Sequence, residues 1–368
     1  MKFYSVISMR LLLILLCLVT GCGRSTTPRN VSDSQNDSGN VHSGSGEMTG
    51  KPSADSKLET PADGKAVPNK LLRIAVIPKG TTHEFWKSVH AGAERAAKEL
   101  GNVQILWKGP LLEDDRDGQI NVVQDFVTQR VDGILLAPLD SQALVNVVRE
   151  AKSAGVPTVI FDSGLADASV VVSYVATDNY AAGTLAAKRL GEVMEGQGKV
   201  ILLRYAPGSE STEQREKGFL DVLAKDFPKI ELLSSNEYSG GTAESAFEKS
   251  QQLLVKYRDE VQGVFAVNES SGMGMFRALD QAGMLPRVKF VTFDPSERLI
   301  AAMEARKVRG IVLQDPVTMG YRGAKTMIEH LRGIKVEARI STGEYIATPE
   351  NAESEEIQRL LKPVVYDE

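Results

Sequence analysis

"RIAVIPKGTTHEFWKSVHAGAERAAKELG", residues 73–101, contains one complete unit of the fold. The apolar run Ile74-Ala75-Val76-Ile77 has the length and composition of a buried strand and stops at Pro78. Beyond it, Val89, Ala93, Ala96, Ala97 and Leu100 recur on one face of a helix. His83, Glu84, Phe85 and Trp86 lie where the strand gives way to the helix. An imidazole, a carboxylate and two aromatic rings at such a junction suit three chemistries: a metal site, a catalytic site, or a surface that grips a small polar ligand.

The same unit recurs along the chain. Apolar runs ending in a polar residue appear as "LRIAVIPK", "DGILLAPLD", "PTVIFDS", "KVILLRYA", "GVFAVNE", "KFVTFDP" and "RGIVLQDP". Helical patterns separate several of them, through Ile120, Val123, Phe126 and Val127, through Leu185, Leu190 and Val193, and through Phe219, Val222 and Leu223. Apolar strands alternating with amphipathic helices predict an α/β fold of doubly wound parallel sheets covered on both faces. One such sheet rarely uses roughly 300 residues, so two lobes are expected. A division falls near Ala176-Thr177-Asp178, where Asp178 suits the N-cap of the next helix.

In open α/β sheets, ligands bind beyond the carboxyl ends of the strands. Those positions hold the His83–Trp86 turn, Asp140, Asp162, Arg215 on a following helix, Asn268, Asp294 and Gln314. If both lobes turn these ends toward a shared cleft, the cleft is rich in planar hydrogen-bonding groups and aromatic faces.

The N-terminus points to a compartment. Lys2 and Arg10 flank a short leader, residues 11–19 are apolar throughout, and "VTGC" follows. The run is short for a bilayer span and has the shape of a signal-peptide core, with a lipobox-like end. Residues 1–21 are therefore read as a lipoprotein signal peptide and Cys22 as the acylated residue. Cys17 and Cys22 are the chain's two cysteines, so no thiol pair is expected in the mature protein for a disulfide, a zinc site or a nucleophile. Residues 22–70 are rich in Ser, Gly, Asn, Asp and Pro and read as a disordered tether. A net charge of -5, without a basic face carrying interleaved aromatics, argues against nucleic acid.

Catalytic motifs do not complete. "HEFWK" has Lys87 where a zinc-protease helix needs its second histidine, and His90 is seven residues from His83 rather than four. "EDDRDGQINVVQ" begins like a calcium loop but has Gln124 where the bidentate glutamate belongs, so its acids read as solvated and partly helix-capping. "SSGMGMF" lacks the third glycine and the lysine of a phosphate loop, and Gly272 and Gly274 read as packing glycines. No G-x-S-x-G elbow occurs. Asp162 and Asp294 could serve glycoside chemistry or bind sugar hydroxyls, and spacing alone leaves both open. Binding suits the remainder: Asp, Asn, Gln and Arg match the hydroxyl rim of a sugar, and an aromatic ring matches its C–H face.

From Leu72 to about Val364 the chain resembles the periplasmic sugar-binding proteins of the ribose-binding type, the substrate receptors of ABC importers. The matching pieces, in order, are "FW" after the first strand, "APLDSQAL", "PTVIFDS", "VATDNYAAG", "REKGF", "VFAVNE", "VTFDPS" and "LQDPVTMG". The resemblance implies ring stacking by Phe85 and Trp86, a hydroxyl acceptor at Asp162, and a donor at Arg215. It adds Asn268, Asp294 and Gln314 as contacts of the second lobe and the hinge side. It also implies three crossings between lobes, near Thr177, Gln314-Asp315 and Gly343. The first lobe is then 71–177 with 315–343, and the second 178–314 with 344–368.

The chain departs from the family pattern where His83 and Glu84 replace a common Asn-Pro, Ser163 a common Arg, and Ala137 a common Asn. Tyr238 is the candidate for an aromatic residue often seen in the second lobe. These changes imply a pocket retuned around His83. The expectation is an extracytoplasmic, lipid-anchored, monomeric protein that is not an enzyme. It captures a small neutral polar ligand, a monosaccharide, for an ABC permease in the membrane, with no cofactor or metal and no nucleic acid. A sensor presenting its ligand to a membrane receptor and a carbohydrate-active enzyme are the alternatives.

Overall fold

The computed structural model describes residues 70–285 and 287–365. The expected signal peptide, Cys22 and the tether up to residue 69 lie outside the described residues. The first series of elements is β1 (Leu72–Ile77), α1 (Glu84–Leu100), β2 (Val103–Trp107), α2 (Arg116–Thr128), β3 (Gly133–Leu136), α3 (Val145–Ser153), β4 (Thr158–Phe161) and β5 (Ser173–Ala176). A second series follows: α4 (Asn179–Val193), β6 (Gln197–Arg204), α5 (Glu210–Asp226), β7 (Lys229–Tyr238), α6 (Ala243–Lys256), β8 (Gly263–Ala266), α7 (Glu269–Gln281), β9 (Lys289–Phe293), α8 (Glu297–Glu304) and β10 (Val308–Leu313). After these come α9 (Pro316–Leu331), β11 (Arg339–Ser341), β12 (Tyr345–Ala347) and α10 (Glu355–Leu361).

The strands form two six-stranded sheets, ordered β11-β5-β4-β3-β1-β2 and β12-β10-β9-β8-β6-β7. Every pairing in the first is parallel. In the second, only β12 against β10 is antiparallel. Successive strand residues point to opposite faces, and the core divides accordingly. Ile74, Val76 and Leu135 pack with α1 and α9 on one face, while Ala75, Ile77, Ile134 and Leu136 pack with α2 and α3 on the other. Burial on both faces explains why the central strands read as unbroken apolar runs.

The chain passes between the sheets at Thr177-Asp178, at Gln314-Asp315 and between β11 and β12. Several helix starts are capped by short polar side chains, which satisfy orphan N–H groups. Asp178 accepts from the Ala181 amide, Asp115 from Gly118, and Asp315 from Thr318 at the start of α9. In each sheet the strand order reverses beside one strand, β1 in the first and β6 in the second, and such switch points open a crevice at the strands' carboxyl ends.

Candidate functional site

The two switch points face one another across a small, nearly closed space lined from both lobes. His83, Phe85, Trp86, Asp162, Arg215, Asn268, Asp294 and Gln314, all singled out from sequence, line this one space.

His83 takes the N-cap position of α1 but makes no side-chain capping bond, so its ring is free to turn inward. Its Nδ1 lies 2.9 Å from Glu113 Oε1. Glu84 points away from the cavity, pairs with Lys87 at 2.9 Å and lines an adjoining groove instead. The Phe85 amide donates to Glu269 Oε2 across the cleft at 3.4 Å. Trp86 is only 2 % exposed and sits edge-on to Phe85 and Phe161, and its indole N–H donates to Glu113. The indole is thus mostly core, and Phe85 is the more open ring.

On the first lobe Asp162 follows β4 with φ of 60°, in the left-handed region that Asp tolerates better than most residues. Lys79, just beyond β1, brings its ammonium 2.9 Å from Asp162 Oδ2 and donates to Ser211 at 3.0 Å and Ser209 at 3.4 Å on the other lobe. Ser163 accepts from the Ser211 amide at 3.0 Å.

On the second lobe Arg215 of α5 donates to Asn179 Oδ1 at 2.8 Å and to the Val267 carbonyl at 3.0 Å, with its guanidinium 3.8 Å from the Phe293 ring centre. These contacts hold the fork rigidly and leave further N–H groups for the cavity. Asn268 spends its side-chain oxygen capping α7 through the Ser271 amide. Asp294 repeats the geometry of Asp162, following β9 with φ of 59°. It accepts from Gln314 at 2.9 Å, and Gln314 in turn accepts from Thr177, so the site is wired to two of the three crossings.

Lys79, Glu113, Tyr205, Ser211, Thr212 and Glu269 also line the cavity but were not singled out from sequence. Lys79 and Tyr205 sit just beyond β1 and β6, and Glu269 opens the helix after β8, where the strand-end rule would have found them. Glu113 corrects the reading of its acidic segment: Asp115 is a helix cap, as expected, but Glu113 is 5 % exposed and buried at the seam between lobes. Tyr238 lies outside the cavity, with the Arg204 guanidinium 4.6 Å from its ring centre. His90 is buried against Trp107, their ring centres 4.3 Å apart. Gly274 does serve packing, since a Cβ there would strike the backbone of α6.

The electrostatics follow from burial and pairing. Burial alone would lower the pKa of His83, but Glu113, with Glu269 and Asp294 beyond it, raises it to about 9. Burial pushes the Glu113 carboxyl up, yet His83, Lys79 and the Tyr205 hydroxyl hold it at about 2. Glu269 is pushed up to about 7 by burial, with neighbouring Asp294 and Glu113 adding to the rise. Asp294 is raised by burial, against the pull of Arg215 and Gln314. Among the described residues no group of three or more His, Cys, Asp or Glu side chains is placed to hold a metal ion. The cavity presents fixed donors and acceptors from both sides, an arrangement suited to a small ligand dense in hydroxyls.

Residues 74–335 match the family described as periplasmic binding protein domain. The ribose import binding protein of Bacillus subtilis is 28% identical over 262 residues, which span 70% of this chain and 81% of that one. A carbohydrate transporter solute-binding protein from Agrobacterium radiobacter, solved in complex with D-arabinose, superposes with a TM-score of 0.76 at 31% identity, covering 79% of this chain and 99% of that one. An ABC transporter solute-binding protein from Agrobacterium vitis with bound D-fucose gives a TM-score of 0.76 at 32% identity, covering 79% and 100%.

Proposed function

Since the chain belongs to the periplasmic binding protein family, we propose that it is the substrate-binding component of an ABC sugar importer. It captures one monosaccharide between its lobes outside the cytoplasm and presents it, enclosed, to a membrane permease. The observation that carries this reading is the cavity itself. Polar side chains from the strand ends of both lobes converge on it. The import role of the B. subtilis relative and the sugars held by the two Agrobacterium proteins support the class of ligand.

In this assignment Asp162 and Asp294 accept hydroxyl protons from opposite sides. Arg215 and the Nε2–H of His83 donate to ring or hydroxyl oxygens, and Asn268 adds an amide N–H. Phe85 covers an apolar face of the sugar, with Trp86 forming the wall behind it. Gln314 links Asp294 to the hinge. We assign residues 71–177 with 315–343 to the first lobe and 178–314 with 344–368 to the second. The protein is read as a monomer that binds without turnover, held to the membrane through acylated Cys22 and a tether over residues 22–70, after loss of residues 1–21.

Calorimetric titration with D-ribose, D-arabinose, D-fucose, D-tagatose, D-allose and myo-inositol tests the reading, with Arg215→Lys and Arg215→Ala beside the wild type. One-to-one binding of one of these, weakened at least tenfold in both variants and with the sugar recovered unchanged, is the expected result. No heat from any sugar overturns the carbohydrate assignment, and conversion of the bound sugar overturns the receptor in favour of an enzyme.

A further inference from the structure

Glu113 lines the cavity, yet most of its carboxylate's acceptor positions are already taken by the protein. Oε1 takes His83 Nδ1 at 2.9 Å and the Trp86 indole N–H, and Oε2 takes the Tyr205 hydroxyl at 2.6 Å. Tyr205 belongs to the opposite lobe, just beyond β6, and is 1 % exposed, and its hydroxyl also reaches the Glu113 carbonyl at 3.2 Å. The loop bearing Glu113 otherwise faces solvent: Leu111 and Leu112 before it are exposed, as is Asp114 after it. One carboxylate dips from that loop into the seam. Opposite it stands Gly241, where a Cβ would come within 2.8 Å of the Glu113 carbonyl, so the two lobes meet here backbone to backbone.

A buried carboxylate must keep its partners, and a buried phenol must keep an acceptor. Glu113 meets both needs only when the lobes are shut. Opening leaves Glu113 with His83 and Trp86 and exchanges the direct bond from Tyr205 for bonds to water. We propose that Glu113 is the positioning residue of capture: it holds His83 as a fixed donor toward the ligand, and through Tyr205 it clasps the lobes whether or not a ligand is present. The inference rests on the reading of the protein as a receptor that closes on its ligand.

The groups facing His83 are Glu113 on the loop after β2, Glu269 on α7 and Asp294 beyond β9, all carboxylates. With Glu113 bonded to Nδ1, the ring carries a proton on both nitrogens across the neutral range, and Nε2–H remains for the cavity. Because the clasp acts before any sugar arrives, closed molecules exist in the unliganded population, and a sugar deepens that population rather than creating it.

The test needs no ligand, so it stands even where the sugar panel fails. Spin labels on Lys98→Cys and Lys225→Cys, at the far ends of α1 and α5 in different lobes, report the interlobe distance in the full chain with Cys17 and Cys22 changed to serine. Tyr205→Phe, which removes one oxygen, is expected to shift the unliganded distribution toward longer distances while the melting temperature stays within a few degrees. Glu113→Gln is expected to do the same and to bring the His83 imidazole, followed by NMR, into titration between pH 5.5 and 8, where the wild type does not titrate. In Tyr205→Phe, His83 is expected to stay protonated as in the wild type, which separates the clasp from the charge. An unchanged distance distribution in Tyr205→Phe, or a His83 that remains charged in Glu113→Gln, overturns the proposal.

Discussion

Gly183→Ala offers a test of how Arg215 is held. A Cβ at Gly183 would lie 2.0 Å from the Arg215 carbonyl oxygen and within 2.9 Å of the Arg215 Cα. The reciprocal approach is as tight, since a Cβ at Gly218 would lie 2.1 Å from the Tyr180 carbonyl oxygen. The obstacle is backbone in a helix and cannot swing aside, so α4 and α5 must part by roughly 1.4 Å to restore ordinary contact. Arg215 travels with α5, while Asn179 stays on α4 and the Val267 carbonyl on its strand end. The guanidinium bonds at 2.8 and 3.0 Å then stretch or break. Bonds to a charged group contribute about 1.5–3 kcal/mol each, so losing the organisation of one weakens sugar binding roughly ten- to a hundredfold. Stability moves less. Overpacking costs about 1–3 kcal/mol, and the alanine returns about 1 kcal/mol of helix propensity. At about 2–4 °C per kcal/mol the melting temperature falls by only a few degrees. Calorimetric titration with the sugar that the wild type binds, run beside thermal melting, separates the two effects. Gly323→Ala is the control: its Cβ would meet the end of the Leu135 side chain at 2.9 Å in the other lobe, and it should cost stability without costing affinity. Wild-type affinity in Gly183→Ala would refute the claim that this helix crossing sets the guanidinium.

Three further predictions concern charge and anchoring. Glu269 has a folded pKa raised from 4.5 to about 7, so its contribution to stability is full below pH 4.5 and is lost as pH rises through 7. Glu269→Gln should therefore lose less unfolding free energy between pH 5 and 8 than the wild type in urea titrations, by an amount on the order of 1–3 kcal/mol, and parallel curves would contradict the assignment. Asp162→Asn leaves the Lys79 ammonium buried without its carboxylate and should cost about 3–5 kcal/mol in urea unfolding, whereas Asp294→Asn, whose bonded partner is the neutral Gln314, should cost distinctly less. Equal costs would show that ion pairing is not what separates the two sites. Cys22→Ser should abolish incorporation of labelled fatty acid and release the protein from the membrane fraction, and retained label would move the acylation elsewhere.

Much of this was legible because the central strands are buried on both faces and so announce themselves as apolar runs, each ending at a position that the fold turns toward the cleft. His83, Asp162, Asn268, Asp294 and Gln314 follow directly from that rule. The half-exposed or very short strands β2, β7, β11 and β12 carry no such run, and their composition does not separate them from loops. Glu113 was lost with them, because it follows β2 at the edge of the first sheet. Its significance also depends on Tyr205, 92 residues away on the opposite lobe, so no local pattern marks it.

Asp162 and Asp294 show what the runs do reveal when compared with one another. "VIFD" and "VTFD" each end a strand in an aspartate at φ near 60°, and each amide donates to the neighbouring strand, to Val175 and Val312 respectively. A left-handed residue is uncommon outside glycine and persists where its surroundings enforce it. Here two equivalent turns enforce it in two lobes, and each delivers one carboxylate to the same space. A ring with hydroxyls on opposite edges can satisfy both only when the lobes are shut, which gives the ligand its differential affinity for the closed form. Under the proposed assignment the symmetry of the two turns is the structural origin of capture, and the unlike partners, Lys79 on one side and Gln314 on the other, are where selectivity for one face of the sugar would arise.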